Sequence, residues 1–168
     1  MIDEPAQPNP LYDELLWVHA AIRRDLGIVE ELAKRAAAGL GPEEISVQVG
    51  ELQTNGPLWQ LKVNCLHYCT FVHHHHRFED AGIFPTLRRV EPSIGPVVDK
   101  LEADHRDVAT LLEAVEEKTE ALIDSERPEV RGELVTALEA LAETLLAHLA
   151  FEERSLEPVL AKMSGWWG

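Results

Sequence analysis

The predicted fold is built around the segment His73-His74-His75-His76-Arg77-Phe78-Glu79-Asp80, and its central pair is His75-x-x-x-Glu79. Residues four apart lie one above the other on the same face of a helix, so this imidazole and this carboxylate can bind one metal ion together. The pair alone is a weak signal, because His and Glu at this spacing also occur as ordinary surface pairs. It becomes a strong signal because the sequence repeats it.

The repeat covers most of the chain. His75–Leu87 aligns without gaps on His148–Leu160, with His, Phe, Glu, Pro and Leu at the same offsets, and His19–Glu31 aligns in the same way on His105–Glu117. The chain therefore consists of a helical hairpin, His followed by His-x-x-x-Glu, written twice. Four such helices can direct four His and two Glu into one bundle interior, enough for two metal ions. The candidate metal ligands are His19, His75, Glu79, His105, His148 and Glu152.

This pattern resembles the hemerythrin-like family, also called the HHE cation-binding domain, from about Tyr12 to about Leu160. The resemblance implies an all-α, up-down antiparallel four-helix bundle with two iron ions (Fe2+/Fe3+) bridged by an oxo or hydroxo group. Members of the family bind dioxygen reversibly, sense oxygen or iron, or react with peroxide or nitric oxide. Imidazole and carboxylate ligands without thiolate suit redox-active ions such as iron or manganese. Zinc, or a single ion, is also compatible with these ligand types.

The sequence departs from hemerythrin on the third helix. Hemerythrin has a fifth ligand His one turn along that helix, whereas the positions four residues from His105 are Leu101 and Ala109. This ligand is therefore missing or replaced. The candidates for the vacant position are Tyr68, Glu102 and Tyr12.

Tyr68 is the candidate catalytic residue, because helical spacing places it almost in line with His75, two turns below it. It is either a buried Tyr with a hydrogen-bonded hydroxyl or a phenol in the metal pocket. Tyr12 has the same offset from His19 but lies in the first turn of its helix. Glu102 precedes His105 by three residues, a spacing that di-iron bundles also use, although an exposed ion-paired Glu is the favoured interpretation.

The four consecutive His residues point in four directions on a helix, so they cannot all bind one ion. Only His75 has a Glu four residues later and a counterpart in the repeat. His74 and His76 project about 100° to either side of His75, and His73 faces nearly opposite. We expect these three to be flanking or surface residues. The alternative is that one of them donates or accepts protons near the pocket.

The chain has 168 residues, of which 45% are apolar, which predicts a single domain over residues 1–168 with a substantial core. We expect a flexible tail at residues 1–9, a bundle over about 10–160, and short extra helical segments in the first loop and at the C-terminus. A further short turn of helix is expected at Phe84–Leu87. The long helices are predicted at about 10–38, 57–82, 97–124 and 128–157.

The net charge of −15 would repel nucleic acid phosphates and anionic membranes, so neither is an expected partner. The segment Met1–Pro10 is acidic and proline-rich, unlike a signal peptide, and we expect no later run to span a bilayer. A cytoplasmic location is therefore expected. The remaining partners are dioxygen, peroxide or another small ligand. An oxygen-binding protein, a di-iron oxidoreductase acting on peroxide, nitric oxide or a small organic substrate, and an iron or oxygen sensor all remain open.

Overall fold

The computed structural model describes residues 8–39, 57–124, 129–163 and 165. Within these residues the chain is all-α, as predicted. A π-helical turn at Glu79–Ile83 and a 3-10 turn at Pro92–Ile94 connect the second, third and fourth helices. The helices are α1 (Pro10–Gly39), α2 (Pro57–Phe78), the short α3 (Phe84–Val90), α4 (Gly95–Asp124) and α5 (Glu129–Leu160).

The four long helices form an antiparallel bundle in which α1 and α4 each contact both α2 and α5. The direction of α5 against α1 follows from two cross-helix hydrogen bonds. Asn9 Nδ2 donates to the carbonyl oxygen of Glu157 at 3.1 Å, and Arg131 Nη1 donates to the carbonyl oxygen of Ala36 at 3.3 Å. The start of α1 therefore lies beside the end of α5, as an up-down topology requires.

The ends of the helices agree with local sequence signals. Asn9 Oδ1 accepts a hydrogen bond from the backbone N–H of Tyr12 at 3.3 Å, and Pro10 takes the first helical position of α1. The short helix expected at Phe84–Leu87 is present as α3. Residues 161–163 form a turn, while the first loop and the ends of both termini, residues 1–7, 40–56, 164 and 166–168, lie outside the described residues.

The π-helical turn begins at the candidate ligand Glu79. Its carbonyl oxygen accepts the backbone N–H of Phe84, five residues later. Pro85 follows directly and has no N–H to offer, so the regular hydrogen-bond pattern is interrupted at this point in the helix. The wider turn carries Phe84 against His105, with ring centroids 5.3 Å apart. Turns of this kind are frequent at functional sites.

The apolar core consists of two clusters with a polar layer between them. The large cluster fills the half of the bundle that contains Ile22, Leu26, Val72, Val108, Leu112 and Leu145. The small cluster fills the other half with Leu15, Ile83, Phe84, Val98, Leu101 and Leu156. The candidate ligands lie along each long helix between these two sets, so they are held in a low-dielectric environment.

By length and composition, the helix α5 is long and apolar enough to cross a membrane. On length and composition alone, the expectation that no later run could span a bilayer is therefore wrong. In the bundle, α5 packs against both α1 and α4, and its buried side carries His148 and Glu152. Core helices of helical bundles also meet this hydropathy criterion.

Candidate metal centre

Seven ligand-type side chains from the four long helices and the π-helical turn converge in the polar layer. Six of them are the ligands proposed from the sequence, and the seventh is His76. Their side chains are buried or nearly so, and those of Glu79 and Glu152 are fully inaccessible. The seven are His19 on α1, His75 and His76 on α2, Glu79 in the π-helical turn, His105 on α4, and His148 and Glu152 on α5.

The seven residues form two groups, within each of which the ligand atoms lie no more than 4.8 Å apart. The three-imidazole group consists of His76, His105 and His148. The two-imidazole group consists of His19 and His75 together with both carboxylates, Glu79 and Glu152.

Each carboxylate of the two-imidazole group also lies close to an imidazole of the three-imidazole group. Oε1 of Glu79 is 3.1 Å from Nε2 of His75 in the two-imidazole group and 3.5 Å from Nε2 of His105 in the three-imidazole group. A carboxylate in this position has one oxygen within reach of imidazoles from both groups. It therefore offers a donor atom to either group.

Glu152 occupies the matching place from the opposite side of the bundle. Its Oε2 is 3.5 Å from Nε2 of His19 and 3.4 Å from Nε2 of His148. Burial and the neighbouring Glu152 raise the pKa of Glu79 well above its usual value. Burial also acts to raise the pKa of Glu152, but the adjacent Glu79 and His148 outweigh it and lower that pKa.

Two histidines of the three-imidazole group contact carboxylates through their other ring nitrogen. Nδ1 of His105 is 2.8 Å from Oδ1 of Asp80, and Nδ1 of His148 is 3.2 Å from Oδ2 of Asp104. These partners favour the tautomer with the proton on Nδ1, which donates to the carboxylate. Nε2 then keeps its lone pair, and the Nε2 atoms of His105 and His148 are 3.1 Å apart in the centre of the site.

His19 lies beside a carboxylate of α5 in the corresponding place, at a longer distance. Its Nδ1 is 3.5 Å from Oε1 of Glu153, and both carboxylate oxygens of Glu153 accept hydrogen bonds from Arg23 at 2.7 Å. In both copies of the repeat, the residue after the ligand Glu therefore contacts the first His of the other copy. Glu153 does so for His19, as Asp80 does for His105.

Buried polar atoms without hydrogen bonds are concentrated at the site. Within the described part of the chain, every such side-chain nitrogen or oxygen belongs to the site except the hydroxyl of Tyr68. Each unpaired group costs on the order of 1–3 kcal/mol. A bound cation would satisfy these atoms together, so the residues present fit a metal centre. The site atoms concerned belong to His19, His75, His76, Glu79 and Glu152.

The imidazoles are held in the state that metal binding needs. Burial lowers the pKa of His75 to about 4. Burial also lowers the pKa of His19, although Glu152 and Glu153 act in the opposite direction, and it lowers that of His76. These imidazoles are therefore neutral near pH 7, and a neutral imidazole is the form that binds a metal ion.

The expectation that His76 is a flanking or surface residue is wrong. It is only 5% exposed, and its ring stacks on that of His105 with centroids 3.8 Å apart. The sequence did contain the signal, because the buried residues Cys65, Cys69, Val72 and His76 follow one another at intervals of four, three and four. That spacing marks the core-facing stripe of a helix.

His75 and His76 are adjacent in sequence, and their side chains enter the interior towards different ligand groups. The ring of His75 lies 5.3 Å from that of His19, whereas the ring of His76 stacks on His105. The other two members of the histidine run behave as expected. His74 is exposed, and Nε2 of the half-buried His73 is 2.9 Å from a carboxylate oxygen of Glu116.

The three residues proposed for the vacant ligand position lie in different surroundings. Glu102 accepts a hydrogen bond from Arg88 at 2.7 Å, in agreement with the ion-paired interpretation. Tyr12 is half-buried and packs against the small apolar cluster.

Tyr68 is buried at a cavity of about 300 Å³ between α1 and α2, which Asp25 and Phe71 also line. Burial raises the pKa of its phenol well above the ordinary value. His76 now offers the additional ligand for which Tyr68 was considered. A catalytic role for Tyr68 stays a prediction.

The comparison with known protein families adds one finding. The model of the hemerythrin HHE cation-binding domain matches residues 10–160, which include all seven ligand-type residues. No curated protein and no solved structure matches the sequence.

Proposed function

The chain belongs to the family of hemerythrin HHE cation-binding domains, and on this basis we propose that it is a non-haem di-iron protein that binds or reacts with dioxygen or peroxide inside the bundle. The observation that carries this proposal is the pair of buried ligand groups with two carboxylates between them. Five imidazoles and two carboxylates supply two adjacent ions without thiolate, a donor set that suits iron.

We assign one ion to each group. The three-imidazole group would hold its ion through His76, His105 and His148, with a share in both carboxylates. The two-imidazole group offers one imidazole fewer, through His19 and His75. The ion there would have the more open coordination, so this is the position at which a small ligand would bind.

When bound by these residues, an iron pair would supply the electrons for the chemistry with dioxygen or peroxide. The chain supplies the surroundings. The carboxylates of Asp80, Asp104 and Glu153 hold the rings of three ligand histidines from behind. The two apolar clusters exclude bulk water from the two ends of the polar layer, which strengthens the electrostatic interactions inside it.

A second function on the same site is a di-iron oxidoreductase acting on peroxide, nitric oxide or a small organic substrate. A cavity lined mostly by polar and charged residues, among them His76 and His105, favours this alternative, because it admits water and polar reactants to the site. A sensor of iron or oxygen would use the same ligands, and the predicted cytoplasmic location is compatible with each of these roles.

The test is to load the purified protein with ferrous iron under nitrogen and to follow the visible spectrum on adding oxygen and then peroxide. We expect about two iron ions per chain. A spectrum that develops with oxygen and is lost on its removal supports reversible binding, whereas steady gas evolution from peroxide supports an enzyme. Retention of fewer than two iron ions per chain would refute the di-iron proposal.

A further inference from the structure

A cavity of about 260 Å³ lies between α2 and α4 and reaches the three-imidazole group from the surface. Two of the three imidazoles of that group, those of His76 and His105, form part of its wall. The carboxylate of Asp80, which holds His105, also lines it and is 42% exposed. Solvent in this cavity therefore lies next to two of the imidazoles of the three-imidazole group.

Three of the four side chains of the two-imidazole group, those of His19, Glu79 and Glu152, are 0% exposed, and that of His75 is 9% exposed. The cavity of about 300 Å³ between α1 and α2 is lined by Asp25, Tyr68 and neighbouring residues, none of which belongs to either ligand group. Of these two cavities, only the one between α2 and α4 is lined by ligand residues.

Ala109 explains part of this difference. It lies one turn after His105 on α4 and lines the cavity. A residue with a larger side chain at this position would fill the space beside His76 and His105. His76 on α2 supplies the third imidazole of this group. The small side chain of Ala109 on α4 therefore leaves space between the surface and the imidazoles of His76 and His105.

We propose that this cavity is the route by which a divalent cation enters and leaves the three-imidazole position, so that this position exchanges its cation faster than the two-imidazole position. The inference rests on the proposed function in one respect, since it requires two cation positions. It adds that they differ in kinetics, with an exchangeable ion beside α4 and a retained ion beside α1.

The physical reason is hydration. A cation that crosses an apolar core must give up its water, at a large cost in free energy. A cation that crosses a polar cavity keeps part of its hydration shell until the imidazoles replace it. The mouth of the cavity carries both signs of charge, so it repels neither a hydrated cation nor an anionic chelator. The charged side chains there are those of Arg77, Asp80, Arg106 and Glu113.

The experiment is the removal of ferrous iron by the chelator ferrozine under nitrogen, followed by absorbance. We expect two phases of equal amplitude, one ion leaving at least tenfold faster than the other. Ala109→Leu should slow the fast phase at least tenfold and leave the slow phase unchanged. Ala114→Leu makes the same change on the same helix at a half-buried position outside the cavity lining, and it should alter neither phase.

A second variant acts in the opposite direction and leaves the core intact. Arg106 is exposed at the mouth, and removing its positive charge makes the mouth more favourable for a cation, so Arg106→Ala should accelerate the fast phase. If two ions are bound but leave in a single phase, or if Ala109→Leu and Ala114→Leu act alike, the inference is overturned and the di-iron proposal stands. If fewer than two ions are bound before ferrozine is added, both are overturned.

Discussion

Replacing His76 with Ala removes one imidazole from the three-imidazole group and leaves the two-imidazole group complete. His76 is 5% exposed and contacts both His105 and His148 through its ring. We therefore expect His76→Ala to reduce the iron content from about two ions per chain to about one. The same change at His74, which is exposed two residues earlier on α2, should leave two ions bound.

The effect on stability follows from linkage. An ion at a free concentration of about 100 times its Kd stabilises the folded state by about 2.7 kcal/mol. In a chain of this length, a change of 1 kcal/mol shifts the Tm by roughly 2–4 °C. Loss of one ion should therefore reduce the metal-induced increase in Tm by roughly 5–11 °C.

The assay compares the Tm of the metal-free and metal-loaded forms for the parent, His76→Ala and His74→Ala. Taking the difference between the two forms of each variant separates the loss of the ion from the cavity that the substitution creates. Iron content is measured on the same samples. If His76→Ala retains two ions and the full increase in Tm, His76 is not a ligand and the assignment of the three-imidazole group is wrong.

Three further predictions concern the surroundings of the ligands. Asp80→Ala should weaken metal binding by about 10–100-fold, because Asp80 no longer orients the ring of His105. Asp107→Ala, at an exposed position on α4, should leave the affinity unchanged. Competition with a chelator measures both affinities. Without metal, the unfolded chain should bind more protons than the folded one below about pH 6.5, because burial lowers the pKa of His75 to about 4 and also lowers the pKa values of His19 and His76. Each additional proton bound by the unfolded chain changes the free energy of unfolding by about 1.4 kcal/mol per pH unit, so in urea titrations this free energy should fall as the pH drops from about 6.5 to about 4.5. Tyr68→Phe should keep both ions, because seven other ligands are present; a changed visible spectrum or peroxide turnover would support the catalytic role predicted for it, and no change would identify it as a core residue.

The bundle and most of the site could be predicted from the sequence because the repeat constrains them twice. A His-x-x-x-Glu pair in each half, with a His upstream, fixes which faces of four helices point inward. The helical period then places His19 and His105 among apolar residues, where the structure has them. Family resemblance and helical spacing agreed on these positions, so the signals supported each other.

The repeat could not identify His76 as a ligand. It has no His counterpart in the second copy, and a helical wheel centred on His75 places it to one side. Its burial depends on how α2 packs against α4, where its ring stacks on His105. The spacing of His76 from Cys69 and Val72 indicates that His76 faces the core, but it does not indicate that His76 binds a metal ion.

The carboxylates behind the ligands were missed for a different reason. Asp80 and Asp104 are neighbours in sequence of the ligands Glu79 and His105, yet the imidazole that each contacts lies on another helix. An acidic residue beside a ligand on a strongly acidic chain carries no signal of its own. Only the antiparallel packing of the helices shows which ring it holds.

The departures from the repeat make the two ligand groups different. A symmetric duplication would give each group the same residues, yet His76 aligns with the buried apolar Leu149, and Asp104 aligns with Val18. Both differences add to the three-imidazole group, since His76 supplies it with an imidazole and Asp104 contacts His148. In the proposed di-iron centre, the additional imidazole therefore belongs to the group that the cavity between α2 and α4 reaches, and the two-imidazole group keeps the coordination position that a small ligand would fill.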